Sequence, residues 1–245
     1  MRSHGLRPQG VAELLDETFR LYRRRFLLFL GLSVIFLVPA LVLGYLAYAS
    51  VSAGMIALGL MSLVGMGSIC LAADRVARGE AISLRTAFVL TMRRALPLLG
   101  LSIGAAIASL PLLFIFPVWV WLAVSYASAW PIVMAEDLNP LRALARSRWL
   151  VRGHFWHAFT VLGLGLLMAY LVAQVGLFAL VTAAGLLPLR GAAQEAVVTL
   201  TTMAVVVVAP FPLFPITLTV LYRDLRVRRE GLDLDQLAED AAASA

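Results

Sequence analysis

Long stretches without a charged side chain constrain this chain more than any motif does. Phe26 to Ala49 carries none, Val51 to Ala73 carries none, and Ala95 to Ala135 runs for 41 residues without one. Ala158 to Leu187 and Ala196 to Tyr222 are of the same kind. Crossing about 30 Å of hydrocarbon takes roughly 20 helical residues. The 41-residue run, divided by a turn near Phe116-Pro117, is long enough for two crossings. The expected spans are therefore about 26–49, 51–73, 95–116, 118–135, 158–187 and 196–222, followed by a tail over 223–245. With 62% of the residues hydrophobic and 14% charged, no stretch is left for a soluble catalytic domain. The class is all-α, a polytopic helical membrane protein. Ala47-Tyr48-Ala49 resembles a signal-peptidase site, but the apolar run before it is too long, and the leader holds Glu13, Asp16 and Glu17. The first run is expected to remain as a span.

All twenty basic residues are Arg, and their distribution sets the expected orientation. Six lie before the first span, five in 74–94, four in 136–153 and four after Tyr222; only Arg190 lies in the link at 188–195. The positive-inside bias then places both termini in the cytoplasm, with six spans forming three hairpins that reach outward. Thirteen of the fourteen acids share the cytoplasmic side. Trp119 and Trp121 are expected at the outer boundary, Trp149 and Trp156 at the inner one.

Each hairpin follows an Arg-rich segment with helical periodicity, too polar to insert and too apolar on one face to float free. These are expected to be amphipathic helices on the cytoplasmic membrane surface. In the first, Val11, Leu15, Phe19, Tyr22 and Phe26 form the apolar face, opposite Glu13, Glu17, Arg20 and Arg24, with Asp16 and Arg20 an i,i+4 pair. Ser83 is the expected N-cap of the second, and Asn139 of the third with Pro140 at its first helical position. The sequence also repeats: Arg24 to Ser33, RRFLLFLGLS, matches Arg93 to Ser102, RRALPLLGLS, at seven of ten positions. The chain reads as three copies of surface helix plus hairpin, the third having drifted.

The chemistry of catalysis is sparse. No span has an acid, Arg or His in its middle, which disfavours a charge-coupled pump. Nucleophile, zinc-protease and phosphate-loop motifs are missing, so no enzymatic activity and no cofactor are expected. His154 and His157 are three apart without a third ligand nearby, so no metal site is expected, and the lone Cys70 excludes an internal disulfide. Gln174 is the only amide deep in a span, read as an interhelical hydrogen bond, and Gly100, Gly104 and Ala108 form a small-residue line suited to helix packing. Pro210, Pro212 and Pro215 mark the sixth span as a candidate kink or gate. The guanidinium fork matches phosphate, so Arg23, Arg24, Arg25, Arg93, Arg94, Arg142, Arg146, Arg148 and Arg152 are the candidate lipid head-group residues. The expected partner is anionic phospholipid, with a membrane or cytoplasmic protein that such a module scaffolds or regulates; nucleic acid is excluded because the charges follow membrane boundaries. The alternative is a transporter or channel for an amphipathic, lipid-like solute.

Three stretches carry a family resemblance. They are Leu6-Arg7-Pro8 with Leu14-Leu15-Asp16 and Phe19 to Phe26; Ala143 to Trp156, ALARSRWLVRGHFW; and Tyr222 to Gly231, YRDLRVRREG. With them the chain resembles the membrane domain of glycerophosphoryl diester phosphodiesterases and its stand-alone bacterial relatives. Arg223 departs from the pattern, where an aromatic is more usual, as do His154 and His157. The resemblance implies a multi-pass helical module of the bacterial plasma membrane, joined in some members to a cytoplasmic phosphodiesterase domain. These 245 residues hold no such domain, so hydrolase activity is not expected.

Overall fold

A computed structural model describes residues 8–46, 51–109, 116–186, 201–202 and 204–231. Among them every regular element is helical: α1 (Val11–Arg24), α2 (Phe26–Leu46), α3 (Val51–Ala77), α4 (Leu84–Arg93), α5 (Ala95–Ser109), α6 (Phe116–Tyr126), α7 (Ala129–Ala135), α8 (Pro140–Val151), α9 (Phe155–Leu186), a π-helical turn at Ala204–Val208, and α10 (Leu213–Glu230). Three segments are long and apolar enough to cross a membrane: Pro117–Ala135, Phe155–Ala183 and Val205–Glu230. The pair α4 and α5, bent by 63°, makes a fourth if counted as one. Among the described residues this gives three to four candidate spans where the sequence suggested six. The two spans not counted are the expected first hairpin, 26–49 and 51–73, of which Phe26–Pro39 is found as a shorter apolar helix and other parts lie outside the described residues.

Helix ends follow local chemistry. Ser83 caps α4 by accepting from the Thr86 N–H at 3.1 Å. Asn139 has the extended backbone of an N-cap and Pro140 follows it, but the Asn139 side chain makes no capping bond. At α1 the Glu13 carboxylate accepts from the Gly10 N–H at 3.2 Å. Gly231, in the left-handed region at φ 64°, ends α10 with its N–H on the Val227 carbonyl. This last helix continues eight residues beyond Tyr222, so Arg223 to Glu230 belong to it and not to a tail. The remainder of the expected tail, 232–245, lies outside the described residues, as does the link holding Arg190 and Glu195.

The internal repeat has a structural counterpart. α1 passes to α2 across Arg25, and α4 passes to α5 across the aligned Arg94; each is a single non-helical residue. Ser33 donates to the Phe29 carbonyl at 3.1 Å, and the aligned Ser102 donates to the Leu98 carbonyl at 2.7 Å. Phe29, Leu32, Leu98 and Leu101 are all fully buried. Gly31 lies against Leu84, the first residue of α4; Gly100 lies against Pro140, the first residue of α8. Each glycine thus receives the start of a later Arg-bearing helix.

The core is assembled around α10. Its candidate span is 67% buried, against 11% for that of α9, so α10 is the central post and α9 a peripheral one. They meet where glycine permits close approach: a Cβ at Gly165 would crowd Thr217, and one at Gly176 would collide with Val205. α1 turns its Leu14, Thr18, Leu21 and Tyr22 inward, a face one residue removed from the Val11–Leu15–Phe19 line expected from periodicity; Phe19 and Phe26 are 39% exposed. Buried Thr18 satisfies its hydroxyl on the Leu14 carbonyl at 2.9 Å, which lets a polar residue sit inside. The expected Asp16–Arg20 pair forms at 3.4 Å on the solvent side.

Candidate functional site

Below the apolar helices the charged residues form two connected clusters. The first centres on Glu136, just after α7. Its carboxylate accepts from Arg146 of α8 at 3.2 and 3.4 Å and from the Tyr222 hydroxyl of α10 at 2.7 Å. Arg146 also donates to Glu230, and Glu230 accepts from Arg226 at 2.8 Å. Two acids and two arginines therefore close a ring across α7, α8 and α10. Burial pulls the Arg146 guanidinium down, but its bonds to Glu136 and Glu230 outweigh this and leave its pKa raised, so it stays charged.

The second cluster centres on Asp224, which is 4% exposed. It accepts from Arg228 at 2.7 Å, from the backbone N–H of Gln9 at 2.8 Å, and pairs with His157 Nε2 at 2.9 Å. Arg228 donates in turn to the Gln9 carbonyl. A buried carboxylate without these partners would cost several kcal/mol; with them it staples the start of α1 and the start of α9 to the last helix. His154 is nearby but not bonded: its Nδ1 is buried without a hydrogen-bond partner. Burial, then the positive field of Arg228 and Arg229, holds its imidazole below the ordinary histidine range. The two histidines do not converge, and among the described residues no group of three His, Cys, Asp or Glu side chains is placed to hold a metal ion.

These clusters divide the nine candidate head-group arginines. Arg146 is spent on Glu136 and Glu230, and Arg94 donates to the Val133 carbonyl at 2.6 Å and pairs with Asp137 at 2.8 Å. Both tie helices or their flanking residues together. Arg23, Arg24, Arg25, Arg93, Arg142, Arg148 and Arg152 are exposed and have no carboxylate partner among the described residues. Arg23 lies over the Phe19 ring and Arg148 over the Trp121 ring, at 5.9 and 5.2 Å.

The Trp121 contact has consequences for depth. Opposite boundaries of a membrane are about 30 Å apart, so a ring 5.2 Å from Arg148 cannot stand at the outer boundary while Arg148 stands at the inner one. Ser147 likewise donates to the Ser125 carbonyl at 2.9 Å. Trp121 is on the arginine side, not at the expected outer turn. Beside it, a cleft of about 440 Å³ opens between α6, α8 and the start of α9, with Arg148, Arg152 and Trp149 on its rim.

The prolines coincide with irregular helical geometry. A π-helical turn at Ala204–Val208 is followed by turn residues over 209–212, and α-helix resumes at Leu213, all within the one candidate span Val205–Glu230. Pro210, Pro212 and Pro215 are all buried. Tyr22 of α1 donates to the Ala209 carbonyl at 2.8 Å, and the Pro215 carbonyl accepts from Thr219 at 2.9 Å and Cys70 at 3.5 Å. Burial pushes the Tyr22 phenol up to about 12, so it remains a donor. Gln174 does not bridge helices as expected; it donates to Tyr170 on the exposed face of its own helix. Among the described residues, nothing lies within 4 Å of a Cβ built at Gly104.

No protein-family model, curated protein or solved structure matches the chain. Gln9 and Glu136 carry no sequence signal; Tyr222, Asp224 and Glu230 lie in the stretch that carries the family resemblance but were given no role there, although the Asp224–Arg228 and Arg226–Glu230 spacings are standard i,i+4 pairs.

Proposed function

We propose that this chain is a multi-pass protein of the bacterial plasma membrane that engages anionic phospholipid through its exposed arginines and presents that surface to a lipid-related protein partner, without catalysis of its own. One observation carries the reading. The buried and half-buried acids Asp74, Glu136, Asp224 and Glu230 are consumed by Arg78, Arg146, Arg226 and Arg228, while the arginines at the ends of α1, α4 and α8 remain exposed without a carboxylate among the described residues. Near an anionic leaflet each basic residue contributes about 1 kcal/mol, so this set favours anionic over zwitterionic lipid by several kcal/mol in sum. The membrane-domain resemblance in the sequence agrees with the reading and is part of the proposal.

The topology belongs to the same proposal: both termini are cytoplasmic and the crossings are even in number, with α2–α3 and α9–α10 as full hairpins. The segment α5–α7 is the remaining hairpin. Its ends are tied by the Arg94–Val133 bond. The test is lipid retention: purified from nanodiscs of equal phosphatidylglycerol and phosphatidylcholine, the protein should carry an excess of the anionic lipid. Changing Arg24, Arg25, Arg93 and Arg142 to Gln should reduce that excess, and equal retention of both lipids by the unaltered protein refutes the reading.

The irregular geometry over 204–212 favours a second reading, transport of a lipid-like solute past that stretch of helix. Pro210, Pro212 and Pro215 changed to Ala should then alter flux of a fluorescent lipid across reconstituted vesicles; no flux with the unaltered protein rules it out.

A further inference from the structure

We infer that the cleft between α6, α8 and the start of α9 is a discrete site for the phosphate of one anionic phospholipid, an inference that rests on the lipid-engaging reading above and narrows it to one place. The volume, about 440 Å³, is of the size that small-ligand sites take. Its charged wall is Arg148, in the last turn of α8, and Arg152, the residue that ends that helix. Both are exposed, and neither has a carboxylate partner among the described residues. The Trp121 ring under Arg148 at 5.2 Å restrains that guanidinium, so its fork is presented to the cleft in a set orientation. Two forked donors suit the unesterified oxygens of a phosphodiester.

The occupant follows from the other wall. Trp121, Trp149 and Phe155 give the cleft an aromatic side that a free phosphate ion would not use. Trp at a polar–apolar boundary marks head-group depth. Phe155 is also the first residue of α9, whose outward face stays apolar and exposed through Trp156, Phe159, Leu166 and Leu167. A lipid phosphate held by the arginines would lay its acyl chains along that face, continuous with the cleft. Phosphatidylcholine fits poorly, because its ammonium would meet the same two guanidinium groups.

The experiment is native mass spectrometry of the full chain in detergent, titrated separately with phosphatidylglycerol, phosphatidylcholine and inorganic phosphate. One phosphatidylglycerol should bind more tightly than the rest. Arg148→Gln with Arg152→Gln should weaken that first binding by roughly tenfold or more. Ala145→Trp, an exposed lining position on α8, fills the cleft with its charge intact and should do the same. Arg85→Gln, at an exposed position outside the proposed lipid-binding set, should leave it unchanged. If the cleft variants bind like the unaltered protein while Arg24→Gln with Arg25→Gln lowers the preference, the lipid-engaging reading stands and the cleft is overturned. Absence of any phosphatidylglycerol preference overturns both, and inorganic phosphate binding as tightly as the lipid overturns the lipid assignment.

Discussion

Arg146 and Arg148 are two residues apart on α8 and do opposite things. Arg146 turns toward α7 and α10 and closes a ring of two acids and two arginines; Arg148 turns outward and meets only an aromatic ring. The same division separates Arg94 from Arg93, and Arg228 from Arg152. Residue type therefore does not decide the role of a boundary arginine; the direction of its helix face does. Interior arginines are structural because removing a partner strands a desolvated charge, which costs about 3–5 kcal/mol. Rim arginines keep their water and contribute little to folding, which leaves them free for lipid.

That comparison breaks first at Asp224. Changing it to Ala strands Arg228, His157 and the Gln9 N–H at once, and the protein should lose about 3 kcal/mol or more, seen as a fall of the apparent melting temperature by fluorescence-detected size exclusion. A variant as stable as the parent would show that the cluster holds nothing. Glu136→Ala should cost about 2 kcal/mol, less because Arg146 keeps Glu230 and is 26% exposed; the same assay reads it. Tyr22→Phe removes only the bond to the Ala209 carbonyl and should cost about 1 kcal/mol.

The His154 effect is smaller and depends on pH. Its imidazole is held below the ordinary value near 6.5, so the unfolded chain takes up the proton first as pH falls. Stability from this group is complete above about 6.5 and declines as pH drops toward the depressed folded value. Melting compared at pH 7.5 and 5.5 should show a loss in the parent and a smaller one in His154→Asn. Smallest of all, Arg24→Gln with Arg142→Gln should leave melting in neutral detergent unchanged within about 0.5 kcal/mol.

Much of the architecture was legible in the sequence because it depends on local signals. Uncharged runs located the apolar helices, Ser83 located a helix start, and the Arg24–Ser33 repeat located two equivalent helix junctions. The site was less legible, because Asp224 meets Gln9 across 215 positions and Glu136 meets Tyr222 across 86, distances that periodicity does not encode. Counting Arg per connection also treats all arginines alike, so it could not separate Arg94 and Arg146 from their neighbours. Trp121 was misplaced for a related reason. Its closeness to the Phe116-Pro117 turn suggested the far boundary, whereas α6 lies beside α8, through the Arg148–Trp121 and Ser147–Ser125 contacts.

The most direct test joins the two halves of the comparison in one quantity, the rise in melting temperature that phosphatidylglycerol gives over phosphatidylcholine. For the unaltered protein the rise should be positive. With Arg24, Arg25, Arg93, Arg142, Arg148 and Arg152 changed to Gln it should vanish while melting in neutral lipid stays as before; with Glu136→Ala the rise should persist on a lowered baseline. An unchanged rise in the six-arginine variant would contradict the division of labour on which the account depends.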